Sequence, residues 1–126
     1  MVGYLTGSQK IRALQTANVL IMPSRFETFG LVGLEALSCG TPVVAFRNPG
    51  PEEYLTGERM GRLVSNSEEL VDVLVREAAT FEDPESERLT AWSCRQAALG
   101  FSWDLVLPRY EAMFRECQSH NSGRQD

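Results

Sequence analysis

Met22-Pro23-Ser24-Arg25-Phe26-Glu27-Thr28-Phe29-Gly30-Leu31-Val32-Gly33-Leu34-Glu35-Ala36-Leu37 is the stretch on which the reading of this chain turns. It begins where Asn18-Val19-Leu20-Ile21-Met22, apolar on consecutive positions, stops at Pro23, as a strand buried on both faces does. It ends inside a helix read from Gly30 to Cys39, with Leu31, Leu34, Leu37 and Ser38 spaced for packing and Gly40 as the C-terminal stop. A loop between a buried strand and a helix lies at the carboxyl end of that strand, where open α/β sheets take their ligands. Gly30 lets backbone approach closely at the helix N-terminus, where free N–H groups and the helix dipole favour an anion, and a diphosphate suits it. Glu27, in the loop, then faces whatever the phosphate carries. Glu35 stands about five residues into the helix, about 7.5 Å along its axis, yet helical side chains lean back toward the N-terminus. Flanked by Leu34, Ala36 and Leu37, it is a partly buried carboxylate in need of a partner, and a pair of ligand hydroxyls would serve.

Working outward, the alternation continues. Val2 to Leu5 reads as a strand cut off at its beginning, and Gln9 to Ala17 as a helix capped by Ser8, with Ile11, Leu14 and Ala17 at helical intervals. Pro42-Val43-Val44-Ala45-Phe46 is a second fully apolar strand and Gly61-Arg62-Leu63-Val64 a short further one. Strands and helices joined by a few residues describe βαβ units and a parallel sheet. Helices follow: Glu68 to Thr80, with Leu70, Val71, Leu74 and Ala78 on one stripe and two overlapping capping boxes, Ser65 to Glu68 and Asn66 to Glu69. Asp83-Pro84 opens another as N-cap and N1, running to about Leu99. The last begins after Ser102 and reaches about Cys117, with a kink or late start expected at Pro108; residues 118–126 read as a polar, frayed tail. Phe101 and Trp103 read as anchors of that helix, and Glu52 and Glu53 either line the cleft or favour the start of a short helix.

Composition narrows the function classes. With 126 residues there is room for one modest domain; 43% hydrophobic and 23% charged residues are an ordinary globular balance. Asp and Glu number 17 against 12 Lys and Arg, a net charge of −5 that argues against nucleic acid as partner. No apolar run is long enough for a transmembrane segment, and the start lacks a signal-peptide pattern. Cys39, Cys94 and Cys117 show no CxxC spacing, and the lone His120 sits among polar residues, so neither a zinc site nor a histidine triad is expected. A cytoplasmic protein without structural disulfides is the expectation.

Pro23-Ser24, Glu27, Phe29-Gly30-Leu31, Glu35-Ala36 and Gly40-Thr41-Pro42-Val43-Val44 together resemble the Glu-x7-Glu signature of family 4 retaining glycosyltransferases. The similarity runs on through Pro49-Gly50-Pro51-Glu52-Glu53-Tyr54 and Gly61-Arg62-Leu63-Val64 to Phe101-Ser102-Trp103, roughly residues 2 to 115. That resemblance implies the GT-B fold, two Rossmann-like domains facing across a cleft. The chain then corresponds to the second half of the C-terminal, donor-binding domain: a partial parallel sheet followed by C-terminal helices, residues 1–117, with 118–126 as the tail.

The resemblance also implies roles. Glu27 is the catalytic candidate, hydrogen-bonding the donor sugar's hydroxyls near C3. The backbone N–H groups of Phe29, Gly30 and Leu31 hold the donor phosphates, Glu35 binds the ribose hydroxyls of a nucleotide-sugar, and Tyr4 lies near the base. Members of the family need no divalent metal, so no cofactor is expected. The family pattern further has an upstream Arg and Lys on the diphosphate and an acceptor-binding N-terminal domain. Arg25 and Arg47 fall at neither basic position. The expectation is therefore a piece of a longer enzyme, of little activity alone. It would be completed by a second polypeptide or self-associate through an exposed sheet edge. A non-catalytic donor-binding module or half of a split enzyme is the alternative. A glycosidase using Glu27 and Glu35 is weaker, because a glycine-led helix start between them suits phosphate better than two carboxyls flanking one bond.

Overall fold

A computed structural model describes residues 3–78 and 83–122. Three strands, β1 (Leu20–Met22), β2 (Val43–Phe46) and β3 (Gly61–Val64), form a parallel sheet in the order β1-β2-β3. The register pairs Leu20 with Val43 and Val43 with Gly61. Helices α1 (Gly7–Thr16), α2 (Leu31–Cys39) and α3 (Pro49–Tyr54) punctuate the strands. Then α4 (Ser67–Ala78), α5 (Pro84–Leu99) and α6 (Trp103–Ser122) follow the sheet.

β2 explains the layering. Its side chains alternate between two faces. Val43 and Ala45 join Leu14, Met22, Ala36, Leu37, Tyr54, Leu55, Met60 and Cys94 in one core. Val44 joins Val64 and Val73, backed by Leu70 and Leu74 of α4, in a smaller one on the opposite face. β2 is thus buried on both faces, as its apolar run demands. β1 is not: it spans three residues, and Ile21, on the same face as its partner Val44, is 41% exposed. α4 packs against β3, the strand at the other edge.

Several helix boundaries follow the sequence. α2 is framed by Gly30 and Gly40, both left-handed. Asp83 caps α5, its carboxylate accepting from the Glu85 and Ser86 N–H groups, with Pro84 at N1. For α4 the Asn66 box forms: Glu69 N–H donates to Asn66 Oδ1 at 2.8 Å, and the Glu69 carboxylate accepts from Ser65 N–H at 2.7 Å.

Others differ. α1 begins at Gly7 with Thr6 rather than Ser8 at the cap, and only Leu14 of its stripe is buried; Ile11 and Ala17 are exposed. In α2 the packing positions are Gly33, Ala36 and Leu37, while Leu31 and Ser38 face out. In α4 Val73 is buried, and Val71 and Ala78 are exposed, because the sheet meets the face one residue round from the expected stripe. Residues 3–6 form no strand, having no strand beside them to pair with; Val2 and Thr80 fall outside the described residues. α6 starts at Trp103, runs through Pro108 and continues to Ser122, beyond the expected end at Cys117. Phe101 packs against the larger core, whereas Trp103 is 71% exposed and anchors nothing. Among the described residues no helix is long and apolar enough to cross a membrane.

Candidate functional site

The loop from Pro23 to Gly30 leaves the carboxyl end of β1 and turns into α2. The turn is made by Gly30, at φ +78° and ψ 57°, a conformation costly for a residue with a Cβ. No side chain caps α2, and its first turn carries no acidic residue. Gly33 N–H folds back on the Gly30 carbonyl at 2.8 Å, leaving the N–H groups ahead of it without a side-chain acceptor. An uncapped helix start at the carboxyl end of a parallel strand is an anion site in waiting.

Glu27 and Glu35 flank this turn. Glu27 is half-buried, its carboxylate accepting from the Thr28 N–H at 3.2 Å and its Cγ beside Gly30. Glu35, on the first turns of α2, already has a partner: Lys10 Nζ of α1 lies 2.6 Å from its Oε1. Both side chains remain partly exposed. Leu31 turns its side chain outward. Tyr4 is 95% exposed, on the approach to α1.

Behind the loop stands a scaffold that the spacing of residues did not reveal. Tyr54, at the end of α3, is 1% exposed, and its hydroxyl donates to the Gly30 carbonyl at 3.2 Å, with Met22 Sδ 3.8 Å away. Burial first, and the Glu27 carboxylate second, push this phenol up to about 12, so it stays a donor. Phe29, Tyr54 and Phe101 meet edge to face, with centroids 5.9 Å apart for Phe29–Tyr54 and Phe29–Phe101 and 6.4 Å for Tyr54–Phe101. Two glycines make the closeness feasible. A Cβ on Gly50 would sit 2.6 Å from Phe29 Cα, and one on Gly33 would sit 2.2 Å from the Tyr54 hydroxyl. The Gly50 and Tyr54 contacts reach across at least 21 residues, beyond any local pattern. Glu52 and Glu53 sit in α3 itself, Glu52 3.6 Å from Arg47.

Arg25 and Arg47 meet in a neighbouring cavity of about 480 Å³ over the ends of β2 and β3, with Phe46, Ser65, Asn66 and Glu68. Glu27, Phe29, Gly30, Leu31 and Glu35 do not line it.

Comparison with known proteins bears on the family and the fold. The model of the family "Glycosyl transferases group 1" matches residues 1–91. The chain is 35% identical over 115 residues to a D-inositol 3-phosphate glycosyltransferase of Saccharomonospora viridis, covering 90% of this chain and 26% of that protein. It is 30% identical over 103 residues to a sulfoquinovosyl transferase of Arabidopsis thaliana, covering 80% and 20%. Among solved structures, a sucrose-phosphate synthase from Thermosynechococcus elongatus superposes with a TM-score of 0.74 at 30% identity, over 86% of this chain and 27% of that one. The chain spans about a quarter of the length of the curated relatives it matches. The partial parallel sheet with C-terminal helices matches a fragment of that larger fold.

Proposed function

The chain belongs to the glycosyl transferases group 1 family, and from that premise we propose that it supplies the donor-binding part of a retaining, GT-B-type, hexosyl-transferring enzyme of family 4. The donor is a nucleotide-sugar. Its diphosphate lies on the N–H groups of Phe29, Gly30 and Leu31, its ribose on Glu35 and its sugar on Glu27. The main catalytic contribution of this half is stabilisation of the charge that develops on the departing diphosphate, which preoriented N–H donors provide without reorganising. No metal is required for that task in this reading. The observation that carries it is the uncapped, left-handed Gly30 start of α2, at the end of β1 and flanked by Glu27 and Glu35.

A second reading, a binding module or one half of a split enzyme, is favoured by one further observation. The arginines at this end of the sheet line a separate cavity, and Arg47 is engaged by Glu52. Titrating the chain with UDP, GDP and ADP tests the pocket. Saturable binding of one of them, weakened by Glu35→Gln, supports it; no binding of any sinks both readings. Transfer assayed with and without a complementing chain then separates the enzyme part from the silent module.

A further inference from the structure

We propose that Tyr54 is a positioning residue for the diphosphate loop: its buried hydroxyl, seated in the space Gly33 leaves open, fixes the Gly30 carbonyl and thereby aims the Leu31 N–H at the ligand. This rests on the donor-site reading above. A trans peptide is planar, so the Gly30 carbonyl and the Leu31 N–H point in opposite directions across one rigid unit. Whatever holds the carbonyl inward turns the N–H outward. At a glycine in the left-handed region that unit is otherwise the freest in the loop. Two donors hold it: Gly33 N–H at 2.8 Å, from the helix itself, and the Tyr54 hydroxyl at 3.2 Å, from α3.

Both halves of the contact are specific to the pair. The hydroxyl reaches Gly30 only because residue 33 has no Cβ, which would stand 2.2 Å from it. The ring is held against Phe29 and Phe101 and is fully buried, so the hydroxyl has no water to prefer over the carbonyl. The same ring stands behind Phe29, whose N–H belongs to the same set of donors. α3, which touches no ligand in this reading, thus carries the restraint on the loop that does.

Tyr54→Phe keeps the ring and leaves Gly33 N–H on the carbonyl. The experiment compares affinities of the full chain for UDP, GDP and ADP with those for uridine, guanosine and adenosine. Amide resonances of residues 29–31 are followed by NMR and cooperative unfolding is checked in parallel. The expected result is a loss of about tenfold in the advantage of diphosphate over nucleoside, with nucleoside affinity unchanged and the Leu31 amide displaced before ligand is added. Gly33→Ala, which displaces the hydroxyl from the other side, must give the same selective loss and serves if the first variant does not fold. An unchanged diphosphate advantage in both variants, or an equal loss for nucleoside and diphosphate, overturns the proposal and leaves the donor site standing. If the unaltered protein binds none of the three diphosphates, the donor-site reading fails and this proposal fails with it.

Discussion

Lys10 Nζ sits 2.6 Å from Glu35 Oε1, joining α1 to the helix that opens the site. Side chains 38% and 42% exposed form a bridge worth under about 1 kcal/mol to stability. Its larger effect is local: it holds the Glu35 carboxylate, which in the proposed function takes the ribose hydroxyls. Lys10→Met is therefore expected to leave the unfolding midpoint nearly unchanged. Affinity for a ribonucleoside diphosphate should fall about threefold, while that for its 2′,3′-dideoxy analogue stays the same. Equal loss for both analogues would disconnect Lys10 from the ribose.

Glu27 and Glu35 divide the donor between them in the proposed function. Glu27→Gln is expected to leave nucleoside diphosphate binding intact and to weaken nucleotide-sugar binding about tenfold, the cost of a charge-assisted hydrogen bond. Glu35→Gln should weaken both ligands alike. Calorimetric titration of the two variants with both ligands checks the division, and identical profiles would refute it.

Leu37, fully buried between α2 and the sheet, is the place to test the larger core. Leu37→Ala removes buried methyl groups and leaves a cavity, so it should cost about 3 kcal/mol in urea unfolding. Out of a total of about 5–15 kcal/mol, that is a large share. Val71→Ala on the exposed face of α4 is the control and should cost less than about 0.5 kcal/mol.

Two buried groups set an alkaline limit. Burial, offset in part by Arg95 and a backbone hydrogen bond, raises the Cys94 thiol from 9.0 to about 12. Burial and then Glu27 raise Tyr54 from 10.0 to about 12. In each case the folded state holds the proton more tightly. The stability this confers is complete below the unfolded value and is lost as pH rises through the folded one. Urea midpoints should therefore decline from about pH 9 toward 12, and less steeply in Cys94→Ala or Tyr54→Phe. A flat midpoint across that range would contradict the assignment. By the same burial, Cys117, which is exposed, should react with a thiol reagent before Cys94 does.

Much of the frame was legible because its signals are local. Gly30 and Gly40 framing α2, Asp83-Pro84 opening α5, and the apolar runs of β2 and β3 each state their role within a few residues. The exposure of Ile21 was not legible, since an edge strand and a central one carry the same apolar run. Nor was the stripe of α4, because the side of a helix that meets a sheet depends on the docking angle. In the candidate site, the clustering of Glu27, Gly30 and Glu35 around one turn follows from their spacing. Lys10, Gly50, Tyr54 and Phe101 are brought there by the fold across 20 residues or more, and no periodicity links them. In α6, Trp103, Leu107, Tyr110 and Phe114 repeat at intervals that ordinarily mark a buried seam, yet all are at least half exposed. Spacing tells which residues share a face and not whether the face is covered.

The sheet order has a kinetic corollary. β2 is the one strand among the described residues with a neighbour on each side, and Val43, Val44 and Ala45 are at most 2% exposed. Each amide proton there is bonded into one of the two flanking ladders, Val43 N–H to the Met60 carbonyl for example, and escapes only when that interior ladder parts, whereas those at the outer rims of β1 and β3 escape through fraying. The slowest hydrogen exchange in the molecule should come from these three residues, and their rate becomes a clock for the opening of the whole.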